Sequence, residues 1–122
     1  MKITQAFSFE AAHRLPHVPA QHRCHRMHGH SYRVELQLQG PVDAHSGFVV
    51  DFFEIEAAFG PVLASLDHYC LNEVSGLENP TAENIALWIW SRVKPALPQL
   101  SRVKVFETAD CWAEYDGDAA SA

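Results

Sequence analysis

The chain has 122 residues, 48% of them hydrophobic and 20% charged, which is enough for one buried core and too little for a second domain. Nine lysines and arginines against fifteen aspartates and glutamates give a net charge of −6, which argues against binding to nucleic acid or anionic membranes. No apolar run approaches the roughly 20 residues of a membrane span, and the start of the chain does not resemble a signal peptide.

The N-terminal third predicts two strands joined by a long loop. In residues 2–9, Ile3, Phe7 and Phe9 share one parity and polar residues share the other, the pattern of a half-buried strand. Residues 14–27 are rich in Pro, His and Arg and show no period, so we expect an ordered functional loop. Residues 28–39 alternate again and predict the second strand.

Two helices are predicted in the middle of the chain. Asp51 and Thr81 are the expected N-caps, and Pro95 ends the second helix. Gly60-Pro61 is expected to kink or interrupt the first helix. The apolar stripe of that first helix recurs at three- and four-residue spacings and comprises Phe52, Ile55, Phe59, Val62, Leu63 and Leu66.

Residues 102–116 return to alternation and predict two final strands, the second from Cys111 to Tyr115. The order β-β-α-α-β-β indicates an α+β domain over residues 1–116, with a four-stranded antiparallel sheet and both helices packed on one face. Residues 117–122 read as a frayed or disordered tail. Because an open sheet has two unpaired edges, we expect assembly of several copies through them.

Six of the eight histidines fall between positions 13 and 30. His28 and His30 form a His-x-His at the head of the second strand, where a period of two sends both rings to one face. His13 is in phase with the apolar residues of the first strand, so three imidazoles converge at one end of a hairpin. Three histidines without a fourth protein ligand resemble an open catalytic zinc site. The alternative is a set of ordinary polar residues flanking a turn.

Cys24 lies four residues before His28, close enough to reach the same pocket. It is either a fourth metal ligand, which would close the site, or a thiol suited to act as a base or nucleophile. Cys70 and Cys111 read as small buried thiols. Three scattered cysteines are too few for a disulfide framework, and we therefore expect a reducing, cytoplasmic environment.

Two acidic positions stand out further along the chain. Glu107 shares the parity of the apolar residues in its strand, so its carboxylate needs a partner. That partner is either a cross-strand arginine or a ligand with two parallel N–H donors. Asp67 precedes His68 and can hold the imidazole in one tautomer.

Six ordered motifs, spread from about residue 5 to 116, together resemble the 6-pyruvoyltetrahydropterin synthase superfamily. The three-residue spacing from the cysteine to His-Gly-His is similar to that of its bacterial 6-carboxytetrahydropterin branch. The motifs are Phe9-Glu10-Ala11-Ala12-His13, Cys24-x-x-x-His28-Gly29-His30, Gly47-Phe48-Val49-Val50-Asp51-Phe52, Leu66-Asp67-His68, Asn79-Pro80-Thr81-Ala82-Glu83-Asn84 and Glu107-Thr108.

The resemblance implies a tunnelling fold, in which sheets from three subunits close into a barrel and two trimers stack as a homohexamer. Active sites then lie at subunit interfaces. It also implies that zinc is the cofactor, bound by His13, His28 and His30.

The resemblance further implies the catalytic and substrate-binding residues. Cys24 would be the proton acceptor, and His68, held by Asp67, would form a charge relay with Glu107. Glu107 would also anchor the pterin ring. The ring would lie near Thr81 and Thr108.

The reaction implied is a lyase reaction in queuosine biosynthesis, which converts 7,8-dihydroneopterin triphosphate to 6-carboxy-5,6,7,8-tetrahydropterin, acetaldehyde and triphosphate. Three alternatives stay open, namely a pyruvoyl-type synthase, an aldolase-like pterin enzyme that releases glycolaldehyde, and a non-enzymatic zinc-binding module. Arg14, Arg23 and Arg26 either supply positive charge for the triphosphate or form a solvated basic loop.

Overall fold

One five-stranded sheet and two helices make up the fold, in a computed structural model that describes residues 1–122 apart from the side chain of Ser121. The helices are Phe52–Ala64 (α1) and Ala82–Val93 (α2). Along the sheet the strand order is β3-β1-β2-β4-β5. In chain order the strands are β1 (Lys2–His13), β2 (His28–Gln39), β3 (Tyr69–Cys70), β4 (Leu100–Thr108) and β5 (Cys111–Tyr115).

The α+β architecture predicted from the sequence is confirmed, with one strand more than expected. Strand β3 has only two residues and pairs in parallel with β1, where Ala11 faces Tyr69 and Ala12 faces Cys70. Two residues are too few to produce an alternating pattern, so the sequence carries no signal for this strand. It occupies one edge of the sheet, and β5 occupies the other.

The β1–β2 hairpin positions the histidines. The two strands are antiparallel, with Phe9 opposite Tyr32 and His13 opposite His28. Because side chains alternate along a strand, these residues share one face of the sheet. That face carries the apolar core under the helices, where Tyr32, Val34 and the other inward residues of β2 are buried. The histidines therefore continue the core face to its end.

Both predicted N-caps are present. Asp51 accepts a hydrogen bond from the Phe53 N–H at 2.9 Å, and Thr81 Oγ1 accepts one from the Asn84 N–H at 3.1 Å. Of the predicted kink or interruption at Gly60-Pro61, the interruption is wrong, since α1 continues to Ala64. Pro61 is exposed, and because it lacks an N–H it removes one backbone hydrogen bond from the helix interior.

Two details of packing differ from the sequence interpretation. Phe52 is 47% exposed although it belongs to the predicted apolar stripe, whereas Ile55 and Phe59 are fully buried. After β5, Gly117 has a φ of 86° and packs so closely on Trp90 that a Cβ atom there would lie 2.4 Å from the indole ring. No helix of the described chain has the length and apolar character needed to cross a membrane.

Candidate active site

Three histidine side chains meet at the open end of the β1–β2 hairpin. One ring nitrogen from each of His13, His28 and His30 lies within 4.8 Å of the other two. The ring centroids of the three are 4.6 to 5.0 Å apart. His13 is 1% exposed and the other two are half-buried. The strand register predicted from the sequence thus brings these three side chains together.

The backbone holds two of these rings in one tautomer. His13 Nδ1 lies 2.8 Å from the Pro80 carbonyl, and His28 Nδ1 lies 2.7 Å from the Arg26 carbonyl. A carbonyl oxygen only accepts hydrogen bonds, so both Nδ1 atoms donate. The lone pairs then sit on the Nε2 atoms. This is the arrangement in which metal-binding histidines are oriented by a second group.

Burial favours the neutral imidazoles that a metal ion requires. Removal from water lowers the pKa of His13 and of His30 below the usual value. Their Nε2 atoms are buried and have no hydrogen-bond partner among the described residues. A buried nitrogen without a hydrogen-bond partner costs free energy, and a metal ion bound to its lone pair offsets that cost. The triad can therefore hold a divalent metal ion.

Tyr32 is a member of this site that sequence reasoning missed. Its hydroxyl lies 3.2 Å from His13 Nδ1, and its side chain is 1% exposed. Burial, together with the Glu107 charge, raises the pKa of the phenol well above its usual value. Tyr32 continues the even-numbered face of His28 and His30, and that spacing was the available signal.

Beside the triad lies a cavity of about 430 Å³ that gathers several of the predicted site residues. Cys24 lines it from a one-turn 3-10 helix, Arg23–His25, within the loop. Glu107 and Thr108 line it from the end of β4. Cys111 also lines this cavity and is exposed, so its interpretation as a buried thiol is wrong. Its position at the first residue of an edge strand explains the exposure.

Glu107 lies at an irregularity near the end of β4, on the face of the sheet that its parity with Val103 and Val105 predicts. Phe106 pairs with Trp112 and Thr108 pairs with Cys111, which leaves Glu107 as an extra residue in the ladder. In the register with β2, Val105 lies opposite Val34, so alternation already places Glu107 on the face that carries His30, and the bulge interrupts only the pairing with β5. The Glu107 Oε2 atom lies 4.0 Å from His30 Nε2, and no arginine pairs with it among the described residues. The cross-strand arginine considered from the sequence is therefore not its partner.

The Asp67–His68 pair forms as predicted, but it lies outside the cavity that Cys24 and Glu107 line. Asp67 Oδ1 is 2.9 Å from His68 Nδ1 and also accepts the Glu10 N–H at 2.9 Å. His68 lines a second depression of about 500 Å³ with Glu10 and Ser31, while Cys24 does not line it. His30 borders both depressions. Within one chain, His68 and Cys24 do not share a cavity.

Two other expected residues lie outside these cavities in the described chain. Thr81 caps α2 with its side chain and lines neither depression, although Pro80 beside it holds His13. Arg14 also lines neither of them, whereas Arg23 and Arg26 both line the Cys24 cavity. The backbone of Arg14 is instead tied to Asn72, whose side-chain amide accepts its N–H and donates to its carbonyl.

A sequence model described as 6-pyruvoyl tetrahydropterin synthase matches residues 2–118, which is nearly the whole chain. The chain belongs to this family. Within the family it is 41% identical to 6-carboxy-5,6,7,8-tetrahydropterin synthase of Synechocystis sp., over 93% of this chain and 91% of that protein. It is 34% identical to dihydroneopterin monophosphate aldolase of Pyrococcus furiosus, over 94% of this chain and 96% of that protein.

The fold also matches a member of the 6-pyruvoyl tetrahydropterin synthase family of known structure. Caenorhabditis elegans 6-pyruvoyl tetrahydropterin synthase superposes with a TM-score of 0.90 at 28% identity, over 97% of this chain and 96% of that one. The resemblance predicted from the motifs is thereby confirmed. The Synechocystis relative also confirms the resemblance to the 6-carboxytetrahydropterin branch and the prediction of an enzyme.

Proposed function

We propose that this chain is a zinc-dependent lyase that converts 7,8-dihydroneopterin triphosphate to 6-carboxy-5,6,7,8-tetrahydropterin, with release of acetaldehyde and triphosphate. The observation that carries the proposal is that two members of the triad, His28 and His30, line one cavity together with Cys24 and Glu107. The 41% identity to the Synechocystis enzyme supports it. We place the activity in queuosine biosynthesis in the cytoplasm, where the three free cysteines stay reduced.

His13, His28 and His30 would hold the zinc ion. Their donor set is neutral imidazole nitrogen, which suits zinc, and it leaves a position open for substrate. When bound, zinc supplies Lewis-acid polarisation of a substrate hydroxyl. Pro80 and Arg26 keep the rings of His13 and His28 oriented through their carbonyl groups.

Cys24 is the proposed base. It lines the same cavity as His28 and His30, and a short helix holds it there, with its N–H donating to His22 Nδ1 at 3.0 Å. In this position the thiolate can remove a carbon-bound proton from a substrate that also reaches the triad. As a base, Cys24 is not a fourth zinc ligand.

Glu107 is the proposed anchor of the pterin ring. A carboxylate accepts two parallel hydrogen bonds, and the pterin edge offers two parallel N–H donors. Glu107 lines the cavity from the end of β4, and Thr108 lines the cavity beside it. Thr81 is proposed to lie near the ring as well, while its hydroxyl oxygen accepts from Asn84.

The proton shuttle is assigned to His68, which Asp67 orients and which relays protons with Glu107. Because His68 and Cys24 line different depressions within one chain, the relay requires His68 of a second subunit. We therefore propose a homohexamer of two trimers with active sites at the subunit interfaces. The free edges at β3 and β5 are the surfaces through which such sheets would join.

The test is incubation of zinc-loaded protein with 7,8-dihydroneopterin triphosphate, with mass spectrometry of the pterin and an assay for acetaldehyde. We expect a 6-carboxy pterin and acetaldehyde. A pyruvoyl pterin would move the chain to the sister branch, for which the Caenorhabditis protein is named, and glycolaldehyde would indicate an aldolase, as the Pyrococcus relative is named. No turnover by folded, metal-replete protein would overturn the proposal and leave a zinc-binding module.

A matched pair of cysteine variants tests the base. Cys24→Ala is expected to lose turnover by at least about 100-fold while zinc stays bound. Cys111→Ala is the control, because Cys111 lines the same cavity and has no assigned role. Full turnover by zinc-loaded Cys24→Ala would rule out Cys24 as the base.

A further inference from the structure

Two arginines without acidic partners line the cavity beside the triad. The chain carries six more negative than positive charges, yet Arg23 and Arg26 face this cavity with Glu107 as its only carboxylate. Neither guanidinium takes part in an ion pair within the described residues. Arg33 and Arg102, by contrast, each pair with a glutamate. In an acidic chain, two unpaired cations in one cavity indicate a site for an anion.

The short helix explains why both arginines reach the same cavity. Arg23 opens the 3-10 helix and Arg26 is its C-cap, with the Arg26 N–H donating to the Arg23 carbonyl at 3.3 Å. Because this segment is short and Arg26 follows its last turn directly, both arginines line the same cavity from it.

This helix is fixed to the rest of the site. The Cys24 carbonyl accepts the Leu15 N–H at 2.8 Å, which ties the helix to the end of β1. The Arg26 carbonyl accepts from His28 Nδ1, so the residue that orients a metal ligand also presents one of the two cations. The arginines consequently belong to a held segment of the site.

We propose that Arg23 and Arg26 form the subsite for the triphosphate group of the substrate, an inference that rests on the function proposed above. A guanidinium presents a planar fork of donors that matches phosphate oxygens. In the reaction, Cys24 takes a carbon-bound proton, the C–O bond to the triphosphate breaks, and its electron pair leaves on the triphosphate oxygen. The two cations bind the group before this step and stabilise the charge that it gains.

The direct test is calorimetric binding of inorganic tripolyphosphate to zinc-loaded protein. Arg23→Gln and Arg26→Gln are each expected to weaken binding about tenfold, and the double variant about 100-fold. Arg33→Gln, an exposed arginine outside the cavity, is the matched control and is expected to bind as the wild type does. Zinc content and thermal unfolding, measured on every variant, exclude loss of the metal or of the fold.

The two proposals fail in different ways. If the double variant binds tripolyphosphate as the wild type does, the anion is held by the metal or elsewhere, and the arginine subsite is overturned. If the variants lose tripolyphosphate but the wild type shows no pterin turnover, the subsite stands and the proposed lyase fails. Where turnover occurs, KM for the triphosphate substrate is expected to rise about tenfold in each variant, while binding of unphosphorylated 7,8-dihydroneopterin is unchanged.

Discussion

The histidine triad and the Asp67–His68 pair are built in opposite ways. The triad sits on two paired strands, continues the core face of the sheet, and has two of its rings fixed by carbonyl groups. The pair sits in the turn after α1, where His68 adopts a φ of 64° and its side chain is 77% exposed. The triad is positioned entirely by residues of its own chain, whereas the imidazole of the Asp67–His68 pair lies exposed at the surface.

The way Asp67 is held sharpens this contrast. Its carboxylate accepts the backbone N–H of Glu10, which lowers the pKa of Asp67, and the neighbouring His68 lowers it further. The His68 N–H donates in turn to the Glu10 carbonyl. The pair is thus anchored through backbone groups alone, while its imidazole stays open to solvent. Metal binding should depend on the triad only, and catalysis should depend on both regions.

The largest expected effect is loss of the metal when the triad is broken. His13→Asn and His30→Asn each remove one of three ligands, so zinc affinity should fall by at least about 100-fold. Zinc content after gel filtration measures this, with thermal unfolding of the metal-free proteins as a check on the fold. His45→Asn, in an exposed loop, is the control. Retention of zinc by both triad variants would contradict the assignment.

The next effect separates the exposed pair from the metal site. His68→Gln should lower turnover about 100- to 1,000-fold, the usual size of a lost general acid or base, with zinc content unchanged. A fall in zinc content along with turnover would show that His68 also affects metal binding, and would contradict the separation of the two regions. His17→Gln, in the loop before Cys24, is the matched control.

Mixing variant subunits tests whether the Asp67–His68 pair acts in the active site of a neighbouring chain. Cys24→Ala and His68→Gln should each lose turnover by at least about 100-fold when assembled alone. Hexamers reassembled from equal amounts of both should recover about a quarter of the sites, because a subunit with intact Cys24 then meets one with intact His68. No recovery in mixed hexamers would place both residues in one chain.

A smaller effect is expected at Tyr32, whose hydroxyl meets His13 Nδ1. Tyr32→Phe keeps the ring in the core and removes only this contact, so zinc affinity should fall about tenfold. Competition with a zinc chelator measures the change. Tyr69→Phe is the control, since Tyr69 is 56% exposed. Equal affinities in the two variants would show that the Pro80 carbonyl alone orients His13.

The smallest effect is a pH dependence of the metal-free protein. Burial holds the pKa of His13 and His30 in the folded chain below the value of about 6.5 expected when unfolded. The unfolded chain therefore binds more protons as the pH falls below about 6.5. Unfolding free energy should then be greatest above this pH and decline below it, by at most about 1.4 kcal/mol per pH unit for each histidine.

Urea denaturation of metal-free protein at pH 7.5 and 5.5 measures this decline. His13→Asn should show a shallower decline than the wild type, because one of the two depressed groups is gone. A wild-type unfolding free energy that is equal at the two pH values would contradict the role of burial at the triad.

Local patterns were sufficient for most of the fold and for the triad. Strand β2 begins at His28 and ends at Gln39, as alternation predicts, and His13 faces the same side as the residues opposite it. The caps at Asp51 and Thr81 also follow from residue type and position. Strand β3 could not be predicted, because its two residues are set by pairing with β1 rather than by their own pattern.

By itself, then, the sequence determined the strands, the helices and the convergence of three histidines, since these depend on periods of two and 3.6 and on pairing between neighbouring strands. The tertiary structure decided that Glu107 lies 4.0 Å from His30 rather than beside a cross-strand arginine, that Cys111 lines the cavity of Cys24, and that His68 does not. These placements depend on how distant segments pack against one another. No local pattern carries that information.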